Sequence, residues 1–351
     1  MTEQEKDQGV LYLGIDLGTS RTSVSASNGE RATVSSFVGY ARDAVARKAL
    51  GKEVLFGDEA LAKRMSVDLY RPLSKGVIQE GEDTVHGKGD KEGNLRAAAD
   101  LVNEIIARAK PRADELVYAV IGAPAEASIH NKEAILNAVR GTVDSVMLCS
   151  EPFAVAYGLD MLDDVLVIDI GAGTVDLCRM HGTMPEEADQ ITMTCGGDFV
   201  DAAFRERLEE TLEGAQFSPK MVKDAKERFA SVANDMEPAI VNFPVNGKPT
   251  TFTVTDQLRE ACRLIIPPIV EGLGKLVASF DPEFQDRLKD RVLLAGGGSQ
   301  IKGLDSAIEA CMHDMLGGGK VQRIEEPLYG GANGALKIAH DMPAEYWEQL
   351  K

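Results

Sequence analysis

Asp16 and Asp169 each sit near the end of an apolar run and are followed within a few positions by glycine and a hydroxyl residue. The two stretches are Leu13-Gly14-Ile15-Asp16-Leu17-Gly18-Thr19-Ser20 and Val167-Ile168-Asp169-Ile170-Gly171-Ala172-Gly173-Thr174. Such a run reads as a buried strand, and a glycine turn after it lets backbone amides approach an anion. Two such turns about 150 residues apart predict a duplicated fold that grips one polyphosphate from both sides. Lys and Arg are nearly absent from the turns, so backbone amides and a divalent cation must supply the positive field. Asp16 and Asp169 are the candidate Mg²⁺ carboxylates, acting through the ion's hydration shell, because an unpaired carboxylate at the end of a buried strand is costly. The alternative for each is a turn or helix cap. Gly18, Thr19, Ser20, Gly171, Ala172, Gly173 and Thr174 form the expected cradle for that polyphosphate. Arg21 invites a role as a phosphate clamp, but strand alternation places it on the outer, solvated face.

Other chemistry is weakly represented. The five histidines, His86, His130, His181, His313 and His340, are dispersed without metal-ligand spacing, and no Ser–His or Cys–His constellation supports nucleophilic catalysis. Five scattered cysteines without CxxC spacing read as reduced thiols, most of them core filler, in a cytoplasmic protein. The net charge of −18 argues against nucleic acid or an anionic membrane surface as a direct partner. Residues 1–8 are polar and acidic, unlike a signal peptide or amphipathic anchor, and no apolar run reaches the 18 residues of a membrane span.

Positioning those turns requires a large scaffold, and 351 residues suggest about two domains. Residues 10–40 read as strands Val10–Ile15, Thr22–Ser27 and Arg31–Val38, with an Asn28-Gly29 hairpin. A weak helical pattern surrounds Asp58–Arg64, and a polar, Gly-rich surface loop covers Glu80–Asn94. An amphipathic helix follows, with Leu95, Leu101, Val102, Ile105 and Ile106 on one face. Leu116–Ile121 and Ser145–Cys149 read as strands around a helix over Ala127–Arg140. Ser150–Leu159 reads as a helix with Glu151 in its first turn and Pro152 well placed at its start. Later segments predict helices at Phe199–Leu212 and Met221–Val232, a hairpin of Ile240–Val245 with Phe252–Val254, and a helix over Asp256–Phe280 kinked at Pro267-Pro268. A strand, Arg291–Leu294, enters Ala295-Gly296-Gly297-Gly298-Ser299, and a helix at Gly330–His340 precedes a tail bearing Tyr346-Trp347. Strands and helices alternate twice over, with an insertion in each half, which predicts an α/β fold of three-layer domains.

Taken together, the two Asp turns, Leu293–Ser299 and the helices opening at Ser150-Glu151-Pro152 and Gly330-Gly331-Ala332-Asn333-Gly334-Ala335 resemble the actin, Hsp70 and sugar-kinase ATPase superfamily. Within it, Arg71-Pro72-Leu73-Ser74-Lys75-Gly76-Val77-Ile78 and Phe56-Gly57-Asp58-Glu59-Ala60 are similar to bacterial actins of the MreB kind. Ser150–Leu159 and the Tyr346-Trp347 ending resemble the magnetosome filament branch of those actins. The resemblance implies a duplicated actin-like, ribonuclease H-like fold whose two lobes flank an interlobe nucleotide cleft, each lobe carrying a small inserted subdomain. Residues 10–150 with 335–351 would form domain I, its small subdomain at about 39–72. Residues 151–334 would form domain II, its small subdomain at about 185–255.

By the same resemblance the cofactors are ATP and Mg²⁺, and the activity is ATP hydrolysis coupled to filament turnover. Glu151 would orient the attacking water, with Asp169 as its catalytic companion. The plainer reading of Glu151 is an acid complementing the helix dipole, and both can hold together. Gly296, Gly297 and Gly298 would lie against adenine and the α-phosphate, Lys226 and Glu227 would meet the ribose and base, and Gly197 and Gln300 complete the nucleotide-binding set. As an isolated helical pair, Lys226 and Glu227 would otherwise read as surface charge. The implied partners are further copies of the chain in a cytoplasmic, cytoskeletal filament and an organelle or membrane adaptor. Rival readings are an Hsp70-like chaperone ATPase without its peptide domain, a small-molecule kinase and a plasmid-segregating actin.

Overall fold

The computed structural model describes residues 9–75, 77–78, 90–124, 127–233, 235 and 237–350. The polar segment 1–8 and most of the expected loop Glu80–Asn94 lie outside the described residues. The chain forms two compact units, Met1–Met161 with Leu328–Lys351, and Leu162–Pro327.

In the first unit, strands β1 (Val10–Leu17), β2 (Arg21–Ala26) and β3 (Arg31–Ser35) form a meander. The expected single strand Arg31–Val38 is split. Phe37 N–H turns back onto Ser35 O, and Ser36 Oγ donates to Gly18 O, so the chain leaves the first sheet and begins another. That smaller sheet comprises β4 (Val38–Ala41), β5 (Val54–Phe56) and β6 (Val67–Tyr70) in the order β5-β4-β6. Helices α1 (Ala44–Leu50) and α2 (Gly57–Ala62) accompany it over a separate core of Phe37, Leu55, Ala60, Val67 and Leu69. A two-residue pair, β7 (Leu73–Ser74) and β8 (Val77–Ile78), leads onward.

Helix α3 (Lys91–Arg108) buries Leu101, Val102, Ile105 and Ile106 as the periodicity predicts, while Leu95, expected on that face, is 37% exposed. Strand β9 (Leu116–Ala123), helix α4 (Ile129–Val139), strand β10 (Ser145–Ser150) and helix α5 (Glu151–Gly158) complete this part. The main sheet is ordered β10-β9-β1-β2-β3, with β1 parallel to β9 and antiparallel to β2.

The second unit repeats that plan. Strands β11 (Val165–Ile170), β12 (Val175–Met180) and β13 (Gln190–Met193) form its meander, followed by helices α6 (Gly197–Thr211) and α7 (Pro219–Phe229). The hairpin β14 (Ile240–Val245) and β15 (Lys248–Thr253) follows, with Phe243 in the unit's core. The expected kinked helix over 256–280 is two helices, α8 (Thr255–Arg263) and α9 (Ile266–Ala278). Pro267 and Pro268 occupy the first turn of α9, where a missing N–H costs nothing, so a new helix starts there instead of one helix bending. Helix α10 (Gln285–Lys289), strand β16 (Val292–Ala295), helix α11 (Leu304–Leu316) and strand β17 (Val321–Arg323) close the unit. Its sheet is ordered β13-β12-β11-β16-β17, with β11 parallel to β16 and antiparallel to β12. This is the first sheet's topology over again, and the fold is a duplicated α/β architecture.

The chain then returns to the first unit as α12 (Gly330–Asp341) and α13 (Ala344–Gln349). The units divide at Met161/Leu162 and Pro327/Leu328, so both α5 and α12 belong wholly to the first, unlike the expected divisions at 150/151 and 334/335. Steric fit explains this. A Cβ on Gly334 would lie 1.7 Å from Ala154 O, and one on Gly158 would lie 2.9 Å from Gly334 Cα, so α5 and α12 touch backbone to backbone. Trp347 is fully buried, stacked on Tyr118 with ring centroids 4.9 Å apart, which anchors α13 under the sheet.

Candidate nucleotide site

In the first unit Asp16 is the penultimate residue of β1, opposite Ser23 on one neighbouring strand and Gly122 on the other. Cys149 of β10 continues the same row beyond Gly122. Burial pushes the Asp16 carboxyl up to about 6. The first turn of α12 lies over it, since a Cβ on Gly331 would stand 3.2 Å from Asp16 Oδ2. Glu151, 9% exposed, is the first residue of α5. A Cβ on Gly122 would lie 3.3 Å from Glu151 Cγ, so the glycine leaves the room that this carboxylate fills. Asp16 and Glu151 share a neighbourhood. Burial, then the charge of Glu151, then that of Asp16 push the Cys149 thiol up to about 12.

The turn after Asp16 is held from its carbonyl side. Ser36 Oγ donates to Gly18 O at 2.7 Å, and Arg71 Nε donates to Thr19 O at 3.1 Å. A Cβ on Gly18 would meet Arg21 O at 2.6 Å, so the tight turn admits no larger residue without movement. Thr19 is buried, whereas Arg21 is exposed on β2, as alternation predicted.

In the second unit Asp169 holds the equivalent register, opposite Asp176 on β12 and Ala295 on β16. Its turn closes through Gly171 N–H to Thr174 O at 2.9 Å, with Thr174 buried. The start of α6 abuts the turn. Gly197 N–H donates to Gly171 O at 2.9 Å and Asp198 N–H to Ala172 O at 2.8 Å. Gly196 is obligatory here, because a Cβ would fall 2.7 Å from Ala172 O and 2.9 Å from Thr174 N. Gly296 has φ +77° and would place a Cβ 2.3 Å from Asp169 Oδ1. A Cβ on Gly298 would collide with Ile170 Cγ2 at 2.2 Å. These two glycines therefore let the β16 turn sit against the strand that carries Asp169. Gly297 opens the short helical turn Gly297–Gln300, whose exposed Gln300 donates Nε2–H to Gly297 O at 3.2 Å.

Lys226, expected at the ribose, has its side chain only 12% exposed. Its ammonium donates to Gly197 O at 2.7 Å and pairs with Asp201 at 2.9 Å. Glu227 lies on the same helix, its side chain 42% exposed, 3.9 Å from Lys223. In the first unit, then, Asp16, Gly18, Thr19, Ser20 and Glu151 come together. In the second, Asp169, Gly171, Ala172, Gly173, Thr174, Gly197, Lys226, Gly296 and Gly298 do. Ser36, Arg71, Gly196 and Asp201 escaped sequence reasoning. Only Gly196-Gly197, a glycine pair between strand and helix, carried a local signal for its role.

The carboxylates suit Mg²⁺. Among the described residues no group of three or more His, Cys, Asp or Glu could enclose a metal, and the candidates are hard oxygen donors. That donor set matches an ion that keeps most of its waters and takes one or two carboxylates besides nucleotide oxygens. A cation beside Asp16 would also reverse the cost of burying its charge. Among the described residues no helix is long and apolar enough to cross a membrane.

Comparison with known proteins agrees with this fold. The MreB/Mbl protein family matches residues 11–345. The actin-like protein MamK of Paramagnetospirillum magneticum is 36% identical over 340 residues, spanning 97% of this chain and 95% of that protein. A solved MamK double helical filament matches with a TM-score of 0.89 at 35% identity, covering 95% of this chain and 100% of that one. A non-polymerising MamK mutant bound to AMPPNP matches with a TM-score of 0.70 at 35% identity and the same coverage. The chain belongs to the MreB/Mbl family of actin-like proteins.

Proposed function

We propose that this protein binds ATP with Mg²⁺, polymerises in that state into a cytoplasmic cytoskeletal filament, hydrolyses the ATP, and positions or aligns organelles such as magnetosomes. The observation that carries the reading is the repeated turn: Asp16 and Asp169 hold the same register in two sheets of the same topology, each followed by a glycine-containing turn. Filament formation is supported by the match to the MamK double helical filament, and nucleotide binding by the match to the AMPPNP-bound mutant.

The residues act as follows. The amides and hydroxyls of Gly18, Thr19 and Ser20, and those of Gly171, Ala172, Gly173 and Thr174, bind phosphate oxygens. Asp16 in the first unit and Asp169 in the second are the carboxylates that would hold Mg²⁺. Bound Mg²⁺ would supply the positive charge that these turns lack. From the first turn of α5, Glu151 accepts a hydrogen bond from a water and aligns it in line with the leaving group. Loss of the γ-phosphate then weakens the ATP-favoured conformation and with it the polymer. Head-to-tail contacts of a heterologous kind would give an open filament instead of a ring, and a membrane or organelle adaptor would attach to it.

Electron microscopy and sedimentation of purified protein with ATP and Mg²⁺, against a nucleotide-free sample, test the reading. Filaments that form with ATP and are lost on EDTA addition are expected. Soluble monomer under both conditions would refute it.

A further inference from the structure

We propose that Lys226 and Arg71 are positioning residues for phosphate binding, each pinning the carbonyl side of one turn so that the turn's amides face the nucleotide. The proposal rests on the nucleotide reading above and assigns Lys226 a task other than contacting the ribose.

The argument starts from the peptide unit, which is planar and trans, so a carbonyl and the N–H that follows it point in opposite directions. In the second unit Lys226 Nζ holds Gly197 O at 2.7 Å, which turns Asp198 N–H the other way. Asp198 N–H then reaches Ala172 O at 2.8 Å, and that carbonyl, once held, turns Gly173 N–H away from α6. Gly197 N–H does the same for Ala172 N–H by binding Gly171 O at 2.9 Å. The lysine thus acts through two peptide units on the Gly173 amide, one of those expected to meet phosphate. In the first unit the chain of contacts is shorter. Ser36 Oγ holds Gly18 O at 2.7 Å and Arg71 Nε holds Thr19 O at 3.1 Å, which aims the amides of Thr19 and Ser20 to the opposite side.

Charge makes the cations effective. Each donates to a carbonyl, a partial negative end, and a charge-assisted bond is about twice as strong as a neutral one. Each stands on the carbonyl side of its peptide, whereas an anion bound by the amides would lie on the other. Lys226 is held further by Asp201 at 2.9 Å. Its ammonium therefore has a counter-ion besides the carbonyl it holds.

Isothermal titration with Mg·ATP, Mg·ADP and Mg·2′-deoxy-ATP tests the assignment on wild type, K226M, K226R, the double variant K226M/D201N, R71M and R71K, each checked for folding by circular dichroism. K226M is expected to weaken ATP and ADP about tenfold, the loss of one charge-assisted bond, while the ratio of ATP to 2′-deoxy-ATP affinity stays at its wild-type value. K226R restores most of the affinity because it keeps a donor for Gly197 O. K226M/D201N stays weak, because neutralising Asp201 does not replace that donor, and it also serves if K226M alone misfolds. R71M weakens both nucleotides to a similar degree, and R71K recovers part of the loss.

The assignment is overturned if K226M binds ATP like wild type, if its preference for ATP over 2′-deoxy-ATP collapses, which would make Lys226 a ribose ligand, or if the double variant recovers fully, which would reduce the effect to a buried charge. A wild-type protein that binds no nucleotide overturns the function itself and this role with it.

Discussion

Gly14 offers a sharp test of how the scaffold holds the candidate site. A methyl at this position in the middle of β1 would lie 2.0 Å from Ala332 O and 2.1 Å from Leu336 N, both backbone atoms of α12. Ordinary contact begins near 3.4 Å, so α12 must retreat by about 1.4 Å or the strand must bulge. Overpacking usually costs about 1–3 kcal/mol, and a backbone neighbour cannot swing aside as a side chain does, so Gly14→Ala should cost at least about 3 kcal/mol. For a domain of this size that corresponds to a fall in Tm of roughly 6–12 °C. Retreat of α12 would also break Ser25 Oγ–H to Asn333 Oδ1 at 2.7 Å and lift Gly331 from Asp16. ATP affinity should therefore drop along with stability. Thermal unfolding followed by circular dichroism, with nucleotide titration at 10 °C below the variant's own Tm, reads both. A variant that melts within about 2 °C of wild type would show that β1 and α12 are not in backbone contact.

Three further outcomes are expected. Glu151→Gln should keep ATP binding while lowering phosphate release about 10²–10⁴-fold, the usual worth of a positioned base, and unchanged release would remove Glu151 from that role. Gly296→Ala should weaken ATP binding more than tenfold, because φ +77° and a Cβ 2.3 Å from Asp169 Oδ1 force Asp169 or the β16 turn to move; equal affinity in a titration refutes this. Asp189 is buried against Arg179; burial raises its pKa, but the Glu186 N–H, then Arg179 and His181, outweigh that and hold it below the usual carboxylate range. A depressed folded pKa contributes stability above the unfolded value of about 3.9 and loses it as pH falls through the folded one. The Tm gap between wild type and Asp189→Asn should thus be widest near pH 7, about 3 kcal/mol in worth, and should close as the pH drops below about 4; a gap independent of pH refutes the pairing.

How much of this was legible beforehand differs by element. The strand-Asp-Gly turns at Asp16 and Asp169 were readable because apolar runs and glycine punctuation are local signals. So was the amphipathic face of α3, since periodicity records burial on one side. The split at Ser36–Phe37 was not, because it depends on a hydroxyl reaching Gly18 O across the turn. The division of 256–280 into α8 and α9 hung on whether two prolines bend a helix or start one, and packing of both segments into one core decided it.

The amino-acid order alone determined the duplicated α/β class and the positions of both acidic turns, since each follows from short-range patterns of apolar residues and glycine, and the motifs together carried the resemblance to the family. Tertiary structure alone decided which side chains brace those turns. Arg71 lies 52 residues from Thr19, and Lys226 lies 29 from Gly197. Neither pairing has a local period or motif, and both exist only because folding brings distant carbonyls within hydrogen-bond reach of a cation.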